Sequence, residues 1–152
     1  MSTIGDHIAA IRATLPEGVA LVAVSKFHPV EALREAYDAG QRIFGESRAQ
    51  ELTAKAPQLP DDIEWHFIGH LQTNKVRQVV GRACMIESVG SHRLLECVAA
   101  EAQKQGIRQD ILVEINIGAE ASKSGIAPEE LPGLLECAHA LPSLRVRGLM
   151  SI

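Results

Sequence analysis

Apolar residues follow two alternating rhythms along this chain. Short uncharged blocks recur, and each is followed by a longer segment with apolar positions three and four residues apart. The opening segment is of the second kind. Ile4, Ile8, Ile11 and Leu15 share one helical stripe, Ser2 or Thr3 can cap it, and Pro16-Glu17-Gly18 stops it. The block Val19–Ser25 has neither charge nor alternation, which predicts a strand buried on both faces in a parallel sheet. Pro29 to Ala39 predicts a helix, with Pro29 in its first turn and Gly40 just past its end. The rhythm continues with strands over 42–45, 64–68, 84–88, 110–116 and 144–152. Helices are expected between them: one through Glu51 and Lys55, then 72–80, 91–105 and 128–140.

Strands alternating with helices predict an α/β fold with parallel pairing and right-handed crossovers. The pattern fits an open doubly wound sheet or most of a β/α barrel. No Gly-x-Gly-x-x-Gly fingerprint follows the first strand, which weakens a dinucleotide-binding reading. An eight-stranded barrel typically takes about 250 residues, and about 200 at the low end. This chain has 152 and stops on the apolar Met150-Ser151-Ile152. The expectation is one domain over residues 1–152, a TIM-type barrel with six of its eight strands, incomplete at the C-terminus. Its two open edges would be apolar and prone to association.

Composition narrows the function by exclusion. A net charge of -4, from 15 basic and 19 acidic side chains, provides no basic field for nucleic acid. No apolar stretch approaches the roughly 20 residues of a membrane helix, and the N-terminus lacks the pattern of a signal peptide. The 3 cysteines, Cys84, Cys97 and Cys137, form no C-x-x-C pair, and the expectation is reduced, mostly buried thiols in a cytoplasmic protein. His66 and His70 lie on a strand and the turn after it, so they would not share a helical face as zinc ligands do.

Lys26 is where chemistry enters. It directly follows the first apolar strand, at the end where α/β folds bind ligands. Partial desolvation there makes a neutral, nucleophilic amine easier to reach, as a Schiff-base lysine requires. A lysine ending a strand can also simply reach water with its stem over apolar surface. The other strand ends decide between these readings. They present Glu46-Ser47, Gly69-His70, Glu87-Ser88, Asn116 and Ser151, a convergence of polar groups suited to a ligand pocket. Two loops add anion-binding character: His70-Leu71-Gln72-Thr73-Asn74-Lys75, which opens a helix, and Ala121-Ser122-Lys123-Ser124-Gly125.

Five segments stand together in order: Ala23-Val24-Ser25-Lys26, Phe44-Gly45-Glu46-Ser47, Trp65 through Lys75, Ser122-Lys123-Ser124-Gly125 and Arg147-Gly148-Leu149-Met150. On these the chain closely resembles the pyridoxal 5′-phosphate (PLP) homeostasis proteins, and the Trp65–Lys75 block is the most specific part. The resemblance implies an alanine-racemase-like β/α barrel that holds PLP as a Schiff base on Lys26. Ser47, Asn74, His70, Glu46 and Met150 would line the pocket. It implies a PLP carrier or regulator rather than an enzyme with turnover, with PLP-dependent enzymes as recipients. The family's phosphate site is expected on a seventh and an eighth strand, which this sequence does not contain. Two positions depart from the pattern: Ser47 stands where the family usually has Asn, and His28 where it often has Lys. The alternatives are an amino-acid racemase on the same fold and an inert partial barrel. Racemization needs a second acid/base, commonly a tyrosine, and the 1 tyrosine, Tyr37, falls on the first crossover helix.

Overall fold

The computed structural model describes residues 3–118 and 124–152. After an opening helix α1 (Ile4–Arg12), strands and helices alternate: β1 (Ala23–Val24), α2 (Val30–Asp38), β2 (Ile43–Glu46), α3 (Ala49–Lys55) and β3 (Glu64–Phe67). The series continues with α4 (Val76–Val79), β4 (Met85–Val89), α5 (His92–Gln105), β5 (Gln109–Glu114), α6 (Leu131–His139) and β6 (Leu144–Met150). The strands form one 6-stranded sheet in chain order, and every neighbouring pair is parallel. All strand carboxyl ends therefore share one rim.

Local signals account for the helix ends. The Thr3 hydroxyl accepts the Asp6 N–H at 3.1 Å while the Asp6 carboxylate accepts the Thr3 N–H at 3.0 Å, a reciprocal cap on α1. The Ser91 hydroxyl accepts the Leu94 N–H at the start of α5, and Gly106 ends that helix in the left-handed conformation. The helices cover one face of the sheet. Phe44, Trp65, Phe67, Ile86, Ile111 and Val113 are buried there against Leu52, Val79, Leu95, Val98 and Leu134. Each such side chain contributes about 1.5–3 kcal/mol through burial.

Four expectations need correction. The Val19–Ser25 block is not a strand buried on both faces. Only Ala23–Val24 pair, and Val19 and Val24 are 53% and 51% exposed, because β1 is an edge strand whose second face is open. The 72–80 helix is broken: Thr73–Lys75 wind as a 3-10 turn before the short α4. The opening helix stops at Arg12, short of Leu15. The thiols are not mostly buried either, since Cys84 just before β4 and Cys137 on α6 are both exposed. Among the described residues no helix is long and apolar enough to cross a membrane.

The open face carries charge. The His66 imidazole lies 3.0 Å from the Glu87 carboxylate across β3 and β4. Asp110 accepts from Arg145 at 2.9 and 3.0 Å and from Arg147 at 3.3 Å across β5 and β6. Burial alone would lower the His66 pKa. Hydrogen bonds to Cys84 and Glu87 outweigh that effect and push it up to about 9.

Two predictions follow from this geometry. His66 gains its partners only in the folded chain, so its contribution to stability is fully present below its unfolded pKa near 6.5. It is lost as pH rises through about 9. A proton-resonance titration should find the His66 midpoint near 9, and Glu87→Gln should move it down towards 6.5. Second, a Cβ at Gly69 would sit 2.6 Å from the Ser47 carbonyl oxygen and 2.8 Å from its Cα. Backbone cannot yield as a flexible side chain can, so Gly69→Ala should cost about 1–3 kcal/mol in denaturant unfolding.

Candidate functional site

The rim is built from the turns that follow each strand. At the end of β1, the Ser25 N–H bonds the Gly45 carbonyl at 2.9 Å, continuing the ladder one residue beyond the strand. The Ser25 side chain is buried on the helix side, where its hydroxyl donates to Glu46 at 2.6 Å. Lys26 comes next in the chain, on a turn, with an exposed side chain. It makes no hydrogen bond or ion pair with any described residue. Phe27 follows in the left-handed region at φ 65°, rare for so bulky a residue.

The other expected residues fall into separate groups. Ser47 is half-buried, and its backbone lies against Gly69. It lines a cleft of about 240 Å³ together with Arg48, Gln50, His70 and Lys75. His70 is exposed and also lines a second cleft of about 390 Å³, with Gln72, Ser88, Arg93, Glu114 and Ser124. His70 thus joins the two clefts, while Lys26 borders neither. Glu46 is fully buried on the helix side, where Lys55 donates to it at 2.9 Å, so its carboxylate does not face the open side of the sheet. Asn74 lines neither cleft but a groove against α5 with Cys97, Glu101 and Lys104, which meets the larger cleft at Thr73. Met150 ends the edge strand β6 opposite Glu114, and its carbonyl accepts the Ile115 N–H at 2.9 Å. Ser122 and Lys123 lie outside the described residues.

Three features go beyond the sequence reading, which placed Ser88 on the rim but did not show its burial. The first is Lys55, only 7% exposed, whose Nζ donates to the Ser25 carbonyl, Glu46 and Glu51 at 2.9, 2.9 and 2.8 Å. A signal existed. Glu51 and Lys55 are four apart on one helix, and Lys55 falls on the same face as the buried Leu52. Burial alone would raise the Glu51 carboxyl, but hydrogen bonds from Lys55 and the Phe27 N–H outweigh it and hold the group below the usual range. The second is the buried Ser88 hydroxyl, which has no hydrogen-bond partner among the described residues and borders the larger cleft. The third is Glu114, buried and accepting the Ser124 hydroxyl at 2.8 Å. Gly125 has φ +109°, and a Cβ there would be 2.8 Å from the Asn116 nitrogen, so a glycine is needed beside that contact.

These residues suit a small aldehyde bearing an anion. Lys26 offers an uncommitted primary amine, and the larger cleft offers hydroxyls, an imidazole and the start of α5. Among the described residues no group of three or more His, Cys, Asp or Glu side chains could hold a metal ion.

Comparison with known proteins bears on the family and the fold. The profile of the alanine racemase N-terminal domain family matches residues 1–152. Curated relatives called pyridoxal phosphate homeostasis protein include one from Aquifex aeolicus, 44% identical over 87% of this chain and 58% of its own length. One from Pseudomonas aeruginosa is 39% identical over 100% of this chain and 71% of its own. The chain therefore spans between 58% and 71% of the length of these two relatives. Among solved structures, PipY of Synechococcus elongatus PCC7942 without PLP superposes with a TM-score of 0.93 at 40% identity, covering 98% of this chain and 70% of that one. PipY with PLP bound gives 0.89 at 39% identity, over 99% and 70%. An alanine racemase of Clostridium difficile 630, at 13% identity, shares the fold, with a TM-score of 0.83 over 98% of this chain and 40% of that one. By profile, identity and architecture, the chain belongs to the pyridoxal phosphate homeostasis protein family, on the fold of the alanine racemase N-terminal domain.

Proposed function

We propose that this chain binds pyridoxal 5′-phosphate and holds it as a Schiff base on Lys26. The observation that carries the reading is an exposed, uncommitted lysine at the carboxyl end of the first strand of a parallel sheet, in a chain of this family. The relative PipY, solved with PLP bound, supports it. PLP supplies an aldehyde and a phosphate. Lys26 contributes the amine that condenses with the aldehyde carbon, and both amine hydrogens leave with the carbonyl oxygen as water. Ser47 and His70 lie on the rim where a ring and its substituents would rest, while Met150 closes the edge at β6. Asn74 and Glu46 act less directly, Asn74 from the α5 groove and Glu46 through the buried cluster beneath the turn.

In this reading the chain is a cytoplasmic holder of the cofactor rather than a catalyst, and PLP-dependent enzymes receive what it releases. The name of its relatives supports the homeostatic role. A racemase role finds no second acid/base in Tyr37, whose hydroxyl donates to Asp62 at 2.6 Å from the outer helix α2.

Absorption spectra of the chain with added PLP test the reading. An imine band that persists through dialysis, and that Lys26→Ala abolishes, is expected. A band of equal strength in Lys26→Ala would remove Lys26 from the role.

A further inference from the structure

We infer that Lys55, Glu51 and Glu46 form a positioning clamp for Lys26, an assignment that rests on the reading of Lys26 given above. The two peptide groups flanking Lys26 are held by one ionic cluster. The carbonyl before it, on Ser25, accepts from Lys55 Nζ at 2.9 Å. The N–H after it, on Phe27, donates to Glu51 Oε2 at 2.8 Å. The same Glu51 oxygen accepts from Lys55 Nζ at 2.8 Å, so the two grips meet at a single carboxylate oxygen. Glu46 completes the cluster, accepting from Lys55 at 2.9 Å and from the Ser25 hydroxyl at 2.6 Å.

The clamp explains the turn that follows. Phe27 is bulky, yet it sits at φ 65°, where a phenylalanine is strained and persists only if its surroundings over-determine it. The Glu51 acceptor holds its N–H, and the Arg48 guanidinium lies 4.7 Å from its ring centroid. Backbone at Ser25, Lys26 and Phe27 is thus fixed, while the Lys26 side chain alone is left without a partner among the described residues. That is the arrangement of a preorganised amine: a rigid base and a free reacting end. A buried lysine between two carboxylates is also an expensive way to join a helix to a strand, since apolar side chains of similar volume often do so at no loss of stability. Placement of Lys26 gives the cluster a reason to be ionic.

The test uses Glu51→Ala, Glu51→Gln and Lys55→Met, with Lys26→Ala as the control. Two quantities are read. Hydrogen exchange of the Phe27 amide, without PLP, reports the turn. Borohydride trapping of added PLP, followed by mass spectrometry, reports the rate of capture at Lys26. In Glu51→Ala, loss of a charge-assisted hydrogen bond should speed Phe27 exchange and slow capture by about tenfold. Glu51→Gln should restore most of both, because its amide oxygen can still accept. Lys55→Met should slow capture similarly if it folds, and Glu51, being partly exposed, provides the measurement if it does not. Unchanged capture in a folded Glu51→Ala protein would overturn the inference, even if Phe27 exchange quickened, because the cluster would then be a brace only. Persistent trapping in Lys26→Ala would instead overturn the reading of Lys26, so this control tells the two failures apart.

Discussion

A buried ammonium group must find acceptors, and Lys55 finds three where the first two strands end. Much of the rim's shape depends on that requirement. Lys55 belongs to α3, Glu46 to β2 and Ser25 to the turn after β1. One charge therefore ties a helix to two adjacent strand ends. Removing the lysine would strand two carboxylates in a nearly dry site, where Glu46 Oε1 and Glu51 Oε1 already lack partners among the described residues. The amine proposed to react is the neighbour of this cluster and not a member of it. A cationic side chain inside the cluster would be occupied, whereas one beside it is held in place and left available.

The sheet divides labour between its faces. Away from the Lys55 cluster, the helix-covered face is mainly apolar and supplies the stability. The opposite face carries His66 against Glu87 and Asp110 against two arginines. Side chains alternate along a strand, so each ladder serves both surfaces, and a slip of one residue would exchange them. Register is therefore under pressure from both directions, and the charged face contributes to specifying it. Near the rim, Gly69 against Ser47 and Gly90 against Gly125 bring backbone to backbone, so the positions of the loops follow from the positions of the strands.

Much of this was legible in the sequence. Short apolar blocks and 3.6-residue stripes located every strand and helix, because both are local properties of the sequence. The strand ends picked out Lys26, Ser47 and His70, since in a parallel sheet chain position alone decides which end is the rim. What escaped was directional. Glu46 sits at a rim position, yet its side chain points to the helix side, and only the partner on α3 reveals this. Asn74 follows a strand end closely, but the 3-10 turn over Thr73–Lys75 rotates it towards α5. Val19–Ser25 read as doubly buried because its composition is that of an interior strand, while an edge position is a property of the whole sheet.

The ion pairs of the open face and those under the rim differ in one respect that matters in solution. Asp110 and Arg145 stand near the amino ends of their strands and Arg147 at the middle of β6, and both arginine side chains are about half exposed. Mobile ions reach them, and at physiological ionic strength exposed charges are screened over roughly 8 Å. Lys55 and Glu46 are closed off from such ions. Added salt should therefore weaken the Asp110–arginine pairs between β5 and β6 more than the buried Lys55–Glu46 pair beneath Lys26. One sheet thus carries an electrolyte-sensitive end and an electrolyte-blind end, and the proposed chemistry sits at the blind one.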